Sequence, residues 1–410
     1  MKTDAVQKVS YILSQFPETH ETFIVREISE MERQGVAVEI FSLKKCRDKV
    51  IQKEAVPLMQ KTHYPNKGMV FQSMGLTIFF AATHPLQMAR ILSGLFRDNR
   101  KKPSYLLKTL AMVPVGIWIG WKTRQAGISH LHAHWATVPT ETAWVASQAW
   151  TIPYSFTAHA WDIFLHPGNL HRLIRDAARV VTCTKFNKKY LRDKFGLKFA
   201  DKIDVIYHGL SISQINDHRE KRNEPFVILA VGRLVEQKGF SYLIRALNLL
   251  KSHSEKATLW LIGTGPLRES LENEAEKLGV RNWIEFRDVV PQEEVFALMR
   301  QADVFVMPSV VAQNQDRDGI PNVILEAMAH RLPVVGTSVS GLPEVVQEGV
   351  TGRLVPPESP QELAEAILFF KRNPEKAKKL AHRGRELVVE NFDIRKNVFR
   401  MREKLGLVGS

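Results

Sequence analysis

The sequence predicts an α/β protein with two doubly wound, Rossmann-like domains, and three observations support this. The chain has 410 residues, which is long enough for at least two hydrophobic cores. Short apolar runs alternate with amphipathic segments of helical spacing, a pattern that indicates parallel sheets. Hydrophobic residues make up 44% of the chain and charged residues 24%, a balance that excludes disordered and fibrous proteins.

The first domain begins with an apolar run and an amphipathic segment. KVSYILSQ predicts a strand, and FIVREISEMERQG predicts a helix that ends at Gly35. Helices are also predicted over residues 140–150 and 170–178, where apolar residues recur at helical spacing. The further strands predicted for this domain are VAVEIFSL, SHLHAHWA, PYSFTAHA, RVVTCT and KIDVIYHGL.

A polar, charged stretch over residues 213–225 separates two alternating patterns and predicts a linker. We therefore predict an N-terminal domain over 1–212, a C-terminal domain over 213–385, and a helical tail over 386–410 that packs back toward the first domain. The carboxyl ends of the two sheets would then converge on a cleft. The strands predicted for the second domain are FVILAVGR, TLWLIGTG, WIEFRDVV, ADVFVMPS and PVVGTSV.

Positive charge is concentrated in one segment of the first domain. The chain has a net charge of +14, and residues 44–124 alone contain 15 basic and 3 acidic residues. Such an excess implies an anionic partner, whether nucleic acid, an anionic membrane or a phosphorylated substrate. This segment also contains five prolines, so we predict helices and loops inserted into the α/β domain.

The compartment is predicted from cysteines and apolar segments. Cys46 and Cys183 are too few and too far apart for a disulfide framework or a zinc site. The N-terminus lacks the pattern of a signal peptide, which favours a cytoplasmic protein. Residues 68–89 are diluted by polar side chains and residues 109–121 are too short, so we predict no membrane-spanning helix.

The loops that follow the predicted strands contain the candidate site residues, because ligands of open α/β sheets bind there. In VGRLVEQKG, Arg233 and Lys238 precede a helix that starts near Phe240. Two cations beside a helix N-terminus suit a diphosphate. A solvated basic loop is the alternative, and the spacing alone does not decide between them.

Two carboxylates lie in DGIPNVILEAMAH. Asp318 and Glu326 could contact a sugar and a ribose, or they could be a turn residue and an exposed helix residue. The apolar run around Glu326 weakens the second interpretation, because a carboxylate there is costly unless it is paired or faces a ligand.

Histidines follow two strands of the first domain. In FTAHAWD, His159 is placed to donate to a sugar hydroxyl or a developing charge, with Asp162 three residues later. In HLHAHW, His130, His132 and His134 alternate along a strand. We expect no metal there, because no Asp, Glu or Cys cluster lies nearby in the sequence.

One glycine pattern is a partial match to a dinucleotide fingerprint. LIGTGPLRE has Gly263 and Gly265 after a strand, but Arg268 occupies the third glycine position. The sequence therefore does not favour an oxidoreductase.

Several of these segments, in order and at similar spacing, resemble the family-4 glycosyltransferases of the GT-B fold. The N-terminal part resembles the bacterial members that build exopolysaccharide and other surface glycans. The resemblance covers most of the chain but covers residues 44–124 poorly. The segments that carry it are SQFPETHETFIVREI, HAHWA, IPYSFTAHAWDIF, VGRLVEQKG, LIGTGPL, ADVFVMPS, DGIPNVILEAMA and LPVVGTSVSGLPEVVQEGVTGRLVP.

The resemblance implies a hexosyltransferase that uses a nucleotide-sugar donor, retains the anomeric configuration and needs no metal or other cofactor. It implies that Arg233 and Lys238 hold the donor diphosphate, that Glu326 binds the ribose and that Asn322 also contacts the donor. The acceptor would be a glycan, lipid-linked in our interpretation.

The resemblance also implies two catalytic residues. His159 would contact the C6 side of the sugar and stabilise the transition state. The first acidic residue of the family's paired-Glu motif falls on Asp318, where Asp stands in place of Glu. In FRDVVPQ, Arg287 stands where a glycine is common, so contacts to the donor base are not carried over.

The sequence is also compatible with other functions, and its charged segment bears on the acceptor side. A GT-B-like nucleotide-sugar epimerase shares the architecture, whereas a nucleic-acid-binding protein is disfavoured because no binding motif is recognised. The charged segment has Phe- and Met-rich stretches at 69–80 and 106–121, which suit docking on the inner face of an anionic cytoplasmic membrane. Ordinary core helices with a solvated charged face are the alternative.

Overall fold

The computed structural model describes residues 7–18, 21–46, 51–165, 169–215 and 225–407. The chain divides into an N-terminal unit, Met1–Gly209 with Ile394–Ser410, and a C-terminal unit, Leu210–Asp393. Most of the predicted linker lies outside the described residues.

Within the described residues, the N-terminal unit contains a seven-stranded parallel sheet in the order β3-β2-β1-β4-β5-β6-β7. The order reverses between β1 and β4, which makes this the switch point where a doubly wound sheet binds ligands. The strands are β1 (Lys8–Leu13), β2 (Ala37–Ser42), β3 (Thr62–His63), β4 (Leu131–His134), β5 (Tyr154–Ala158), β6 (Arg179–Thr182) and β7 (Ile203–Val205).

Helices follow the strands of this unit. The first one ends as predicted, because Gly35 takes a left-handed φ of 84° directly after its C-cap. The helices are α1 (Thr22–Arg33), α2 (Ala55–Gln60), α3 (Lys67–Thr83), α4 (Pro85–Asn99), α5 (Pro103–Ala111), α6 (Val113–Gln125), α7 (Val138–Trp150), α8 (Ala160–Phe164), α9 (Leu170–Asp176) and α10 (Lys185–Phe195).

The basic segment forms helices inserted into the α/β unit, as predicted. Of the described residues, Pro103–Gln125 has the length and composition of a membrane span, with a mean hydropathy of 1.2 and 39% of its most apolar window buried. The structure divides this stretch into α5 and α6, and α6 packs on α7. A Cβ added at Gly120 would lie 2.3 Å from the Trp150 ring, so the two helices pack closely and α6 is a core helix.

The C-terminal unit has its own sheet, and the described residues place six parallel strands in the order β10-β9-β8-β11-β12-β13. Its switch point lies between β8 and β11. The strands are β8 (Phe226–Val231), β9 (Ala257–Ile262), β10 (Ile284–Arg287), β11 (Val304–Met307), β12 (Val334–Thr337) and β13 (Arg353–Val355). The helices are α11 (Phe240–Ser252), α12 (Arg268–Lys277), α13 (Gln292–Gln301), α14 (Asn322–Ala329), α15 (Pro360–Arg372) and α16 (Pro374–Asn391).

The unit boundaries differ from the predicted ones. The C-terminal unit starts at residue 210 and continues to 393, because α16 runs without a break to Asn391. The predicted tail is therefore divided, and only its later part, helix α17 (Ile394–Leu405), belongs to the N-terminal unit. There Val398 and Met401 of α17 are buried in the same core as Ile28 of α1. This apolar face is the physical reason that the division falls at 393.

Candidate functional site

In the N-terminal unit, a chain of polar side chains lies at the carboxyl ends of β1, β4 and β5. Glu27 of α1 accepts hydrogen bonds from the hydroxyl of Tyr11 at 2.8 Å and from Nε2 of His134 at 3.1 Å. The other ring nitrogen of His134, Nδ1, lies 3.3 Å from Nε2 of His159. A carboxylate thus orients one imidazole, which in turn orients the ring of His159.

Burial and neighbouring charges set the protonation of this chain. Burial acts to raise the pKa of the Glu27 carboxyl, but His134, followed by His132, outweighs it and lowers this pKa to about 2. Burial lowers the pKa of His159 well below its usual range, and the neighbouring histidines add to this effect. At neutral pH, Glu27 is therefore ionised and His159 is neutral, so one ring nitrogen of His159 is a donor and the other an acceptor.

Asp162 positions the backbone around His159. Its Oδ1 accepts a hydrogen bond from the His159 amide at 2.7 Å, and its Oδ2 accepts one from the Ala136 amide. Burial raises the pKa of the Asp162 carboxyl to about 8. The carboxylate that the sequence places three residues after His159 thus ties the loops after β4 and β5 together.

Aromatic rings surround His159. Trp135, at a left-handed φ of 72°, lies 4.2 Å from it between ring centroids, and Phe23 lies 5.2 Å from it. Phe23 also stacks on His208 at 4.1 Å with an interplanar angle of 5°. These rings cover the imidazole and explain why His159 is buried.

The alternating histidines are all hydrogen-bonded to side chains of the same unit. His130 and His132 both contact the Ser155 hydroxyl, at 2.8 and 2.7 Å, and His132 also contacts the Thr157 hydroxyl at 3.1 Å. Ligand atoms of Glu27, His132 and His134 lie within 4.8 Å of one another, a spacing that a metal could use. No carboxylate lies close to these histidines in the sequence, but Glu27 of α1 supplies one in the structure.

The acid sensitivity of the fold tests the Glu27 pairing. The folded-state pKa of Glu27 is about 2, against a usual 4.5. Ionised Glu27 therefore contributes to the free energy of unfolding above pH 4.5, and this contribution is lost as the pH falls toward 2. This loss is on the order of 3 kcal/mol. We expect Glu27→Gln to be less stable at pH 7 and to show a flatter decline in unfolding free energy over that range, measured by urea unfolding.

The matched control for this experiment is Glu54→Gln, an exposed carboxylate of the same unit. It should keep the acid sensitivity of the wild-type protein. An equally steep decline in Glu27→Gln would show that Glu27 does not carry this effect.

In the C-terminal unit, the structure brings the predicted Lys238 and Asp318 together. The Lys238 ammonium donates to both carboxylate oxygens of Asp318 at 2.9 Å, and the Ser309 hydroxyl donates to Asp318 Oδ2 at 3.0 Å. Arg233 is exposed on the same loop as Lys238. A cation and a carboxylate predicted for separate contacts are therefore an ion pair in the protein.

A second acidic residue sits close to this pair. Asp316 accepts a hydrogen bond from Gln237 at 2.7 Å. Burial raises the pKa of the Asp316 carboxyl, as does Asp318, whereas Arg233 and Lys238 act in the opposite direction. Arg233 therefore lies close enough to interact electrostatically with the loop that contains Asp318.

Glu326 and Asn322 lie on α14. Glu326 is only 7% exposed, and its Oε1 accepts a hydrogen bond from Gln292 at 2.9 Å. The alternative interpretation, in which Glu326 is an exposed helix residue, is therefore wrong. The side-chain oxygen of Asn322, the first residue of α14, is buried and accepts no hydrogen bond within the described chain.

The glycines after β9 have a packing role. Gly263 has a φ of 141°, and a Cβ there would lie 2.0 Å from the carbonyl oxygen of Gly232. A Cβ at Gly265 would lie 2.4 Å from the carbonyl oxygen of Leu234. These glycines allow the loop after β9 to pack against the loop that contains Arg233.

Sequence reasoning missed the partners of the candidate residues. Glu27 and Gln292 bond to predicted residues that are 107 and 34 residues away in the sequence, and Ser309 bonds to Asp318, nine residues later. Only Glu27 had a local signal, since it is four residues after Phe23 and therefore on the same helix face.

Two family models match the chain in adjoining segments. Residues 20–214 match Glycosyltransferase Family 4, and residues 212–387 match Glycosyl transferases group 1.

Curated relatives are named for exopolysaccharide synthesis. The putative colanic acid biosynthesis glycosyltransferase WcaL of Salmonella typhimurium is 33% identical over 47% of this chain and 48% of its own length. The amylovoran biosynthesis glycosyltransferase AmsK of Erwinia amylovora is 35% identical over 41% of this chain and 42% of its own length. The chain thus spans about half the length of these relatives.

Solved structures share the whole fold. A glycosyltransferase from Rickettsia africae has a TM-score of 0.72 at 16% identity and covers 97% of this chain and 98% of its own. HepE of Anabaena, in complex with UDP, has a TM-score of 0.67 at 18% identity and covers 98% of this chain and 100% of its own. The GT-B fold with two Rossmann-like domains is therefore confirmed.

Proposed function

We propose a function from the premise that the chain belongs to the group 1, family 4 glycosyltransferases, whose two models match its two halves. It transfers a hexose-type sugar from a nucleoside-diphosphate sugar to a glycan acceptor in the synthesis of exopolysaccharide or another surface glycan. The relatives named for colanic acid and amylovoran synthesis support this product class. They do not favour an epimerase or a nucleic-acid-binding protein.

The observation that carries the proposal is the cluster of Arg233, Lys238 and Asp318 in loops at the carboxyl edge of the C-terminal sheet. A departing nucleoside diphosphate gains negative charge, which two cations stabilise. Asp318 neutralises Lys238 in the absence of donor and fixes the position of its ammonium group. UDP, the ligand of the HepE structure, is the first donor nucleotide to test.

We assign the remaining donor contacts to α14. The carbonyl oxygen of the Asn322 side chain has no partner within the described chain, so it is available to a hydroxyl of the donor. Glu326 is buried on the same helix and accepts a hydrogen bond from Gln292, and we assign its carboxylate to a ribose hydroxyl of the donor. Both residues lie in the first two turns of a helix that follows β11.

Transfer is proposed to retain the anomeric configuration without a metal. The cations take the role that a metal would have at the leaving group, and His159 is proposed to contact the sugar. Both oxygens of Asp318 accept hydrogen bonds from Lys238, which disfavours Asp318 as a covalent nucleophile. The acceptor hydroxyl would therefore attack from the face that the diphosphate leaves.

Product analysis by NMR tests this reaction. Purified protein is screened with UDP-, GDP- and ADP-sugars and glycan acceptors, in the presence of EDTA. A product with the donor's anomeric configuration is expected. An inverted centre would contradict retention, activity restored only by Mg²⁺ or Mn²⁺ would contradict metal independence, and sugar interconversion without acceptor would indicate an epimerase.

We also propose that the N-terminal unit docks on the inner face of the cytoplasmic membrane, where a lipid-linked acceptor would lie. Helix α3 has one buried face and one exposed apolar face, on which Phe71 is 76% and Ile78 is 71% exposed. The basic residues of segment 44–124 would contact anionic headgroups. The exposed stripe and its charge together favour a membrane surface over a purely solvated face.

Vesicle flotation tests the membrane proposal. The double variant Phe71→Ser and Ile78→Ser is expected to reduce binding to vesicles that contain phosphatidylglycerol, because it removes apolar area that would insert between lipids. Phe399→Ser, at an exposed apolar residue of α17 in the same unit, should bind like the wild-type protein. Equal binding by the double variant would contradict docking through α3.

A further inference from the structure

The N-terminal unit has a basic cavity that the transfer reaction does not use. It has a volume of about 400 Å³ and lies between α4, the end of α7 and the end of α9. Because α9 leads into the first residue of β6, Arg179, this cavity lies toward the amino edge of the sheet. His159, in contrast, follows the carboxyl end of β5. The cavity wall thus shares no residue with the polar chain described above.

A buried arginine forms one wall of the cavity. Arg172 is 3% exposed, and its guanidinium stacks on Trp144 at 3.9 Å from the ring centroid. Its Nε donates to Asp98 and its Nη2 donates to Glu141 at 2.6 Å. Its Nη1 is buried and has no hydrogen-bond partner within the described chain. A charged donor left unpaired in this way is costly, so an acceptor that reached Nη1 would be stabilised.

Three further arginines line the cavity. The side chain of Arg90 has no hydrogen-bond or ion-pair partner among the residues that the structure describes, and that of Arg97 has one weak contact, at 3.6 Å to Asp98. Arg175 is held by two hydrogen bonds to Asp176, at 2.6 and 3.0 Å.

The charge of the cavity wall favours an anion. The wall contains four arginines and a single carboxylate, Asp176. That carboxylate accepts from Trp144 at 2.9 Å as well as from Arg175, so its oxygens are engaged by the protein. The side chains of Arg90 and Arg97, and Nη1 of Arg172, therefore have donors that make no hydrogen bond within the described chain.

We propose that this cavity binds a phosphate group. A phosphate offers several acceptor oxygens around one centre, which suits guanidinium groups from two helices, α4 and α9, that line one cavity. The group could belong to a soluble phosphate compound or to a lipid headgroup, since α4 also exposes the apolar residues Leu86 and Phe96. This site is separate from the donor residues and does not depend on the proposed transfer reaction.

The variant that tests the site is Arg90→Gln. The Arg90 side chain is exposed at the cavity wall and has no partner in the described structure, so the fold should tolerate its loss, whereas a change at Arg172 would leave the buried Glu141 carboxylate without its cation. Arg100→Gln is the matched control, because it removes the same charge from the exposed C-terminal end of α4, outside the cavity wall. Equal melting temperatures would show that both variants are folded.

Two experiments distinguish the possible sources of the phosphate group. Isothermal titration measures binding of inorganic phosphate. Co-sedimentation measures binding to phosphatidylcholine vesicles with and without phosphatidylglycerol. We expect Arg90→Gln to weaken phosphate binding about tenfold and Arg100→Gln to change it less than about twofold. If Arg90→Gln also reduces binding to the anionic vesicles, the headgroup is the source. If it reduces phosphate binding only, a soluble phosphate compound is the source. No phosphate binding, or equal effects of the two variants on both probes, would overturn the proposal.

Discussion

Replacement of Lys238 by Ala is expected to lower kcat/KM for the nucleotide-sugar donor roughly ten- to 150-fold. This corresponds to a loss of about 1.5–3 kcal/mol of transition-state stabilisation. The ammonium group is held by Asp318 at 2.9 Å and is proposed to stabilise the diphosphate as it leaves. Its loss also leaves the Asp318 carboxylate, 18% exposed, without its cation and near the donor's negative charge. Both effects act in the same direction. We expect Arg233→Ala to have a loss in the same range.

A double-mutant cycle separates these two effects. Asp318→Asn removes the uncompensated charge, so Lys238→Ala combined with Asp318→Asn should lose less activity than the sum of the single variants. Lys277→Ala, at the exposed end of α12, is the control for loss of one positive charge in the same unit. Donor kinetics for Lys238→Ala equal to those of Lys277→Ala would remove Lys238 from the donor site.

Replacement of Arg172 by Ala is expected to lower the free energy of unfolding by about 3–5 kcal/mol. The guanidinium pairs with Asp98 and with Glu141, which is 1% exposed, and it covers the Trp144 ring. Its removal leaves a carboxylate buried without its cation. Burial already raises the pKa of the Glu141 carboxyl, so this group should take up a proton more readily in the variant.

Urea unfolding compares this variant with Arg175→Ala. Arg175 lies three residues further along α9 and pairs with Asp176, but its side chain is 48% exposed. Because exposed pairs contribute little, we expect Arg175→Ala to cost less than about 1 kcal/mol. Similar losses in the two variants would show that the buried ion pair around Arg172 is not a major source of stability.

Among the described residues, local patterns in the sequence predicted eleven of the thirteen strands and most helices, but neither β3 nor β13. Buried parallel strands such as β8, with Ile228 and Leu229 fully buried, are continuous apolar runs that can be recognised without knowledge of their neighbours. The apolar run around Glu326 likewise indicated that this carboxylate is not a solvated residue, and it is 7% exposed. Such inferences succeed because burial of a whole segment is visible in its own composition.

For the inserted helices, the local sequence does not predict which apolar helix is buried and which is exposed. Both α3 and α6 are apolar, yet α6 is a core helix and α3 exposes Phe71 and Ile78. The difference depends on what each helix packs against. Gly120 lets α6 approach α7 closely, whereas one face of α3 remains open to solvent.

The sequence by itself determined the fold class, the family and the candidate residues Arg233, Lys238, Asp318 and His159, because these lie in short motifs at the ends of recognisable strands. Only the tertiary structure decided the partners. It joins Lys238 to Asp318 and Glu27 to His134, pairs that are 80 and 107 residues apart. The physical reason is that parallel strands bring distant loops to one edge of a sheet, and hydrogen bonds and charges between those loops have no signature in either loop alone.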